Sequence, residues 1–504
     1  MTYSFLETAV FTVDLASMKI IQLTVTICSL LILSSCHPEK TSFADKLVQP
    51  EYWTNQALKD ILPAWTNHVI DSANGSYFNT MDVAWQPVHD TVRFPSMIAR
   101  HLFSYAAGYL LSGDEQYISM AGNMKDYLLH HAWDKQYGGW YDALTPDGKS
   151  LRTSKSAFVQ LYVITGLTMY YFVTHDAEVK GIIDQANDLL EEKVWDREHG
   201  SYYDQLDRDW TLKNEIKTIS AQLAPSSGYL LYLYLATRDD KYLKQSERIM
   251  DTILEQMMDP QTGWVLETFD KKLKYLPGKK DESEINTGHN IEVAWTLLRL
   301  YMINGQEDYL DRAKKLADQL HRSGFDAAHG MWYATIGNNQ PKVHSEYTHW
   351  WIQAYGQMLD LCLARLYPEG DYITDFLKGA EFWDTYLLDK PRGDTYLSVL
   401  LDGQVKDDRK ANQFKASYHS MEQCLLNTLY LACWINRQPV TLHFKLTEAD
   451  EGEILHLLPI EMFTALVKEV SINNQPYRIN AAGDGVVKLP SLRDAAIAVT
   501  VTSN

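Results

Sequence analysis

Asp196-Arg197-Glu198-His199-Gly200-Ser201-Tyr202 is one copy of a loop that recurs six times along this chain of 504 residues. Each copy contains an Asp, a few mostly polar residues, a Gly and then an aromatic residue. The glycines of the six copies are Gly75, Gly139, Gly200, Gly263, Gly330 and Gly393. Consecutive glycines are 61 to 67 residues apart. A near-constant period of this length indicates a repeat architecture.

Two helical patterns lie between successive loops. One is apolar on nearly all sides, which predicts a buried helix, and it occupies 93–110, 155–173, 220–236, 286–303, 346–366 and 415–434. The other is amphipathic with a charged outer face, and it occupies 52–70, 115–131, 177–194, 240–256, 307–323 and 371–387. Six buried and six half-exposed helices predict an all-α (α/α)6 toroid over residues 45–437. A closed ring of this kind needs no capping repeats.

The pattern changes after the sixth buried helix. Arg437-Gln438-Pro439 breaks the helix, and β-forming residues then alternate over 440–446, 470–472 and 496–501. Asn473-Asn474 is typical of a hairpin turn. We therefore predict a small β-sandwich-like module over residues 438–504, whose simplest role is a structural cap packed on the ring.

The first 36 residues have the pattern of an export signal. Met18-Lys19 precedes an apolar run over 20–33, and small residues then lead to Cys36. The run is short for a membrane span, and Met18 is a better start than Met1. Leu33-Ser34-Ser35-Cys36 is similar to the bacterial lipoprotein signal, which implies a lipid on Cys36 after cleavage. We expect an exported lipoprotein anchored to a bacterial membrane, in the periplasm or at the cell surface.

The amino-acid composition and net charge exclude some classes of binding partner. Apolar residues make up 46% of the chain and aromatic residues 12%, while the formal net charge is −19. The negative charge argues against a nucleic-acid partner. Cys362, Cys424 and Cys433 lie on apolar helical stretches and predict buried thiols. No Cys/His spacing suggests zinc, and we expect neither a metal nor a cofactor.

Ionisable residues on the buried helices are the candidates for chemistry. His289 and Glu292 lie one turn apart on one face of the fourth buried helix. Burying both is costly unless they form a pair or take part in a reaction. His419 begins the sixth buried helix, so two histidines belong to separate walls of the ring. Imidazole can take and return a proton near neutral pH.

Other inner-helix residues suit a sugar. Trp350 and Trp351 offer flat faces for sugar rings, and Arg100 can hold a developing oxyanion. Further candidates for binding substrate are Lys155, Tyr229, Gln353 and Tyr418.

Four motifs together carry a family resemblance. They are Ala99-Arg100 before Phe103, Gly288-His289-x-x-Glu292-x-x-Trp295, Trp350-Trp351-Ile352-Gln353-Ala354, and Tyr418-His419. Over residues 50–435 the chain resembles the N-acylglucosamine 2-epimerase and cellobiose 2-epimerase superfamily. The resemblance implies that His289 and His419 abstract and return the proton α to the carbonyl of a ring-opened reducing sugar. It also implies that Arg100 binds substrate oxygens and that Glu292 orients the neighbouring histidine.

Two positions depart from the family pattern. Leu223-Ala224-Pro225 stands where the family carries a third histidine, which the family uses in ring opening and substrate placement. Tyr355 stands where the family has a Glu. The main prediction is a sugar epimerase or isomerase acting at C2. Two alternatives stay open: a uronate-active polysaccharide lyase or unsaturated glucuronyl hydrolase, and a non-catalytic glycan-binding lipoprotein.

Overall fold

A computed structural model describes residues 42–277, 284–338, 344–461, 465–478 and 486–503. The predicted signal and its Cys36 lie outside the described residues. After a short helix, Phe43–Leu47, twelve helices follow in the described part of the chain. They are α1 (50–68), α2 (Pro95–Ser112), α3 (115–132), α4 (Ala157–Thr174), α5 (177–194), α6 (219–237), α7 (240–257), α8 (Thr287–Asn304), α9 (Glu307–Ser323), α10 (Trp350–Leu366), α11 (372–387) and α12 (418–435).

The even-numbered helices form a closed inner ring. Each packs against the next inner helix, and α12 packs back against α2. The odd-numbered helices form the outer layer, and their buried stripes face the inner ring. This arrangement confirms the predicted (α/α)6 toroid. Among the described residues only α4 is long and apolar enough to cross a membrane, and 83% of it is buried inside the protein.

The repeated loops turn the chain from an outer helix into the next inner one. All six loop glycines adopt left-handed backbone conformations, with φ between 61° and 81°. This conformation is open to glycine because it lacks a Cβ atom. At Gly330 there is also no room, since a Cβ would lie 2.2 Å from the carbonyl oxygen of Lys378. The glycine in the repeat is therefore a backbone requirement.

A buried ion pair also recurs with the repeat. A loop Asp binds a Lys that lies 21 residues later, close before the following inner helix. The pairs are Asp134–Lys155 (3.1 Å), Asp196–Lys217 (2.6 Å) and Asp394–Lys415 (3.1 Å). Arg93 pairs with Asp71 in the first repeat. Lys155 thus belongs to a structural series, and its ammonium group is held by Asp134 away from the central cavity.

We expect Lys155→Met to reduce the free energy of unfolding by about 3 kcal/mol, because it leaves the Asp134 carboxylate buried without one of its two cations. The second cation, Arg208, stays 2.8 Å from Asp134. Denaturant titration measures the loss, and Lys135→Met on the exposed side of the same loop is the matched control. A rise in KM at unchanged stability would instead restore Lys155 as a substrate-binding residue.

The C-terminal strands form two antiparallel sheets. The strands are β1 (Val440–Ala449), β2 (Ile454–His456), β3 (Ala465–Ile472), β4 (Gln475–Pro476), β5 (Val486–Lys488) and β6 (Leu492–Ser503). The larger sheet has the order β1-β6-β3-β4, and β2 pairs with β5. Ile472 pairs with Gln475, and the two asparagines between them have φ of 50° and 62°. The predicted Asn473-Asn474 hairpin is confirmed.

These strands cover one end of the ring. Strand β1 packs on α2 and α4. His175, which follows α4, lies 3.2 Å from the carboxylate of Glu453. The segment 457–461 is buried throughout. The module therefore closes the end of the ring where the inner helices finish, and the opposite end holds their N-termini.

Candidate active site

A cavity of about 350 Å³ lies at the N-terminal ends of the inner helices. All six inner helices contribute to its wall. Six residues predicted from the sequence line it: Arg100, His289, Glu292, Trp350, Trp351 and His419. Residues as far apart in the chain as α2 and α12 meet here because the ring closes on itself.

His289 is held by a carboxylate from the preceding loop. Its Nδ1 lies 2.9 Å from both carboxylate oxygens of Glu267, and its Nε2 lies 3.4 Å from the hydroxyl of Ser220. Burial by itself lowers the pKa of His289, but the charge of Glu267 outweighs it and holds the pKa above its ordinary value. The geometry therefore favours a protonated His289 that can donate from the cavity side.

Glu292 has a different partner from the one the resemblance implies. Its Oε1 accepts a hydrogen bond from the Ser227 hydroxyl at 2.6 Å. One turn along α8 carries the carboxylate deeper into the ring and against α6, so Glu267 makes the orienting contact to His289 instead. Burial raises the pKa of Glu292. Glu292 remains in the cavity wall, close enough to His289 for their charges to interact.

His419 has the opposite electrostatic setting. Its Nδ1 is buried and makes no hydrogen bond to any group in the described part of the chain. Burial, and then the positive charge of Arg100, hold the pKa of His419 well below its ordinary value. The ring centroid of Trp351 lies 5.5 Å from that of His289 and 6.2 Å from that of His419. A neutral imidazole and a carboxylate-paired imidazole thus border the same tryptophan.

Arg100 presents a positive charge without a counter-charge. Its Nη1 donates to the carbonyl oxygen of Phe414 at 2.7 Å, and its guanidinium lies 3.7 Å from the ring centroid of Tyr162. Within the described ranges no carboxylate forms an ion pair with it, and its buried Nε has no hydrogen-bond partner. A cation held in this way can stabilise an oxyanion that forms in the cavity.

Four of the residues predicted to bind substrate do not line the cavity: Lys155, Tyr229, Gln353 and Tyr418. Lys155 is held by Asp134, as described above. Gln353 donates from Nε2 to the carbonyl oxygen of Trp332 at 3.1 Å. Gln160 makes the same contact to Trp140 in an earlier repeat, at 2.7 Å. Gln353 therefore connects a loop to the inner helix that follows it. Its place in the sequence motif is explained by this repeated structural contact and not by contact with a ligand.

The two tyrosines are also engaged elsewhere. The hydroxyl of Tyr229 donates to Asn187 of the outer helix α5 at 2.9 Å, and that of Tyr418 donates to Glu422 at 2.9 Å. Both side chains are buried. The substrate contacts predicted for these two tyrosines are therefore corrected to structural contacts. An inner helix directs only some of its side chains into the cavity, and these two bind other parts of the ring instead.

Two carboxylates that the sequence analysis did not single out lie at the site. Glu267 holds His289, and Asp204 lines the cavity with its pKa raised to about 6 by burial. In both loops, a Gln or Asn of the next inner helix accepts a hydrogen bond from a loop amide, that of Tyr202 in one loop and that of Val265 in the other. Asp204 and Glu267 each lie two residues after that amide. Aligning the six loops by this position would have marked both as facing the ring mouth.

Both departures from the family pattern fall on the cavity wall. Leu223 and Ala224 line it where the family has a third histidine. Beyond them α6 widens into a π-type turn over Ala224–Leu230, with a non-helical Gly228. Pro225 lies at the start of this turn, where it removes a backbone hydrogen-bond donor. Tyr355, at the second departure, lies 5.5 Å from His419 between ring centroids.

Comparison with known proteins decides the family. Residues 75–423 match the N-acylglucosamine 2-epimerase (GlcNAc 2-epimerase) family. The chain belongs to this family. The cellobiose 2-epimerase of Bacteroides fragilis is 26% identical over 72% of this chain and 95% of its own length. The D-mannose isomerase of Marinomonas mediterranea is 25% identical over 66% of this chain and 86% of its own.

Solved structures show the same ring. The cellobiose 2-epimerase of Bacillus thermoamylovorans superposes with a TM-score of 0.69 at 21% identity, covering 75% of this chain and 98% of that protein. The solved structure confirms the fold, and the family match over residues 75–423 confirms the resemblance inferred from the four motifs. This family member is a sugar epimerase or isomerase. The family match ends at residue 423, before the C-terminal strands.

We expect Glu267→Gln to move the alkaline limb of the pH profile of kcat/KM to lower pH. The charge and the hydrogen bond of Glu267 are the main influences that raise the pKa of His289 against burial, so their loss lowers that pKa although the charge of Glu292 remains. His289 would then lose its proton earlier as pH rises. Glu255→Gln, an exposed substitution on α7, is the control. An unchanged alkaline limb in Glu267→Gln would show that His289 does not act in its protonated form.

Proposed function

We propose that this enzyme moves a proton at C2 of a reducing sugar or oligosaccharide between His419 and His289. The observation that carries the proposal is the pair of imidazoles in one cavity: Nδ1 of His419 has no hydrogen-bond partner among the described residues, and Nδ1 of His289 is bound to Glu267. A base and an acid with pKa values displaced in opposite directions suit proton removal and return. Both border Trp351, whose face can support a sugar ring.

Proton removal at C2 requires the open-chain aldose, so the sugar ring opens first. Asp204, whose pKa burial raises to about 6, exchanges the proton needed for ring opening near neutral pH. It lines the same cavity wall in which Leu223 and Ala224 stand in place of the family's third histidine. His419 removes the proton from C2, and the electron pair of that C–H bond moves into a C1–C2 double bond. The carbonyl electrons move onto O1, and Arg100 stabilises the resulting enediolate oxygen.

The second half restores the aldehyde. His289 donates its proton to the opposite face of C2, the electrons on O1 re-form the carbonyl, and the product is the 2-epimer. Protonation at C1 instead, with transfer of the O2 proton, yields the 2-ketose. The relatives are named for both outcomes, cellobiose 2-epimerase and D-mannose isomerase. Epimer and ketose thus differ in where one proton is returned.

Proton NMR in heavy water tests the proposal. The enzyme is incubated with glucose, mannose and cellobiose, and the C2 signal of each is followed. We expect the C2 proton signal to disappear as deuterium enters, together with new signals of the 2-epimer or ketose. If none of these sugars exchanges at C2, while an acidic polysaccharide gives an unsaturated uronyl signal, the lyase alternative would replace this proposal.

We also propose that the protein is exported and tethered through a lipid on Cys36. The support is the short apolar run over 20–33 followed by Leu33-Ser34-Ser35-Cys36. Mass spectrometry of the protein from membranes should find a diacylglyceryl group on an N-terminal Cys36. Cys36→Ser should leave the protein unlipidated, and lipid-free wild-type protein would contradict the tether.

A further inference from the structure

A second cavity adjoins the catalytic one. It has a volume of about 410 Å³, and the two cavities share Phe158, Gln205 and Phe414 as lining residues. Phe414 is 56% exposed although its carbonyl holds Arg100. A sugar unit in the catalytic cavity can therefore continue past the Phe414 ring into the second cavity.

Two cations without counter-charges line this second cavity. Arg152 and Lys213 are both exposed there, and neither forms an ion pair with any carboxylate among the described residues. Arg152 lies 5.4 Å from the ring centroid of Phe94. The one acidic residue of the lining, Asp142, is occupied, since its oxygens accept hydrogen bonds from Ser154 and from the amide and hydroxyl of Ser156.

The chemistry of this lining differs from that of the catalytic cavity. The catalytic cavity is lined by Asp204 and Glu292 as well as Arg100, whereas two of the three charged side chains that line the second cavity are cations. Two cations that form no ion pair among the described residues, beside the side chains of Gln205 and Gln413, offer charge-assisted hydrogen bonds to an anionic, hydroxyl-bearing ligand. A neutral sugar residue would leave both charges without a partner.

We propose that the second cavity binds an anionic group, the carboxylate of a uronic acid or a sulfate, on the sugar residue that follows the reducing-end unit. This inference rests on the proposed function and names its substrate class as acidic reducing oligosaccharides. Arg152 supplies a planar pair of donors that fits either group, and Lys213 supplies a point charge.

Initial rates with three matched disaccharides test the inference: cellobiose, glucuronyl-β-1,4-glucose and a 6′-sulfated cellobiose. We expect kcat/KM for an acidic disaccharide to exceed that for cellobiose by about tenfold, and the excess to shrink in 0.5 M NaCl as salt screens the exposed charges. The double variant Arg152→Gln/Lys213→Gln should lower the acidic-to-neutral ratio about tenfold. Comparing the uronate with the sulfate distinguishes the two anions.

The outcomes separate this inference from the proposed function. Arg365→Gln, an exposed cation at the end of α10 that lines neither cavity, should leave the acidic-to-neutral ratio unchanged. If cellobiose is turned over at C2 as fast as both acidic sugars, the anionic site is overturned and the proposed function stands. If no sugar exchanges at C2, the proposed function itself fails.

A separate observation concerns the C-terminal module. Glu461 reaches from the module into the ring, where its Oε1 lies 2.7 Å from Nε of Arg299 on α8, and both side chains are completely buried. Nη1 of Arg299 donates to the carbonyl oxygen of Ser227 at 2.9 Å. The hydroxyl of Ser227 in turn donates to Glu292 in the cavity wall.

These three contacts connect the module to the active site. Ser227 lies in the irregular turn of α6, which has lost regular helical hydrogen bonding around Gly228. We infer that Glu461 is a positioning residue, which acts through Arg299 to hold this turn so that Ser227 reaches Glu292. The module is then part of the catalytic unit as well as a cover for the ring.

Steady-state kinetics of Glu461 variants test this inference, because they show whether a substitution changes kcat or KM. We expect Glu461→Gln to lower kcat about tenfold with KM nearly unchanged, because a small displacement of a cavity carboxylate is costly for catalysis. Glu461→Asp, which keeps the charge, should recover most of the loss. Glu453→Gln removes another module carboxylate at the ring, beside His175, and should retain wild-type kcat.

Folding must be separated from positioning. If Glu461→Gln does not fold, the pair Arg299→Met/Glu461→Met removes both buried charges together, a change that proteins commonly tolerate. That pair should fold and still show the reduced kcat, since nothing holds the Ser227 carbonyl. Wild-type kcat in a folded form of either variant would overturn the inference.

Discussion

His419→Asn should stop epimerisation while one of the two epimers still exchanges its C2 proton with solvent. In a two-base mechanism each histidine faces the C2 proton of one epimer only. Removing His419 leaves His289 to act on the epimer whose proton points toward it, so exchange continues there without inversion. The loss of net epimerisation should reach about 10²–10⁴-fold, the usual contribution of a general acid or base.

The reciprocal variant is the control for this experiment. His289→Asn should block epimerisation equally and preserve exchange in the other epimer, so the two variants have mirrored patterns. The measurement is the rate of deuterium incorporation at C2, started from each epimer separately in heavy water. Equal loss of exchange from both epimers in both variants would contradict the assignment of one face to each histidine.

The second large effect concerns Arg100. We expect Arg100→Gln to lower kcat by about 10²–10³-fold, the scale for losing one preorganised donor to a developing oxyanion. KM should change much less, since the charge on the sugar oxygen develops mainly in the transition state. Arg100→Lys should recover only part of kcat, because an ammonium cannot reproduce the planar stacking on Tyr162.

A pH profile provides an independent readout of the same variant. The Arg100 charge contributes to lowering the pKa of His419. Without that charge the pKa of His419 rises, so the neutral base is lost at a higher pH and the acid limb of kcat/KM moves upward. A large rise in KM with unchanged kcat and an unmoved acid limb would show that Arg100 only binds the ground state.

Much of the site could be predicted because the family motifs lie on the inner helices. His289, His419, Arg100 and the two tryptophans stand near helix N-termini, and a closed ring brings those ends together. Gln353 and Lys155 were misassigned for the same reason, since they also stand at inner-helix starts. Their hydrogen bonds belong to the repeat itself, as the matching contacts of Gln160 and Lys217 show.

The sequence by itself determined the ring and the family, and it singled out the two histidines that the ring brings to one cavity. A loop glycine every 61 to 67 residues and two helical patterns are local features, and their number decides whether the ring closes. Only the tertiary structure decided which carboxylate serves which group. Glu267 lies 22 residues before His289, and Glu461 lies 162 residues after Arg299. Such partners are selected by packing between loops, helices and the module, because a buried charge is stabilised by whichever opposite charge the fold brings within hydrogen-bond distance.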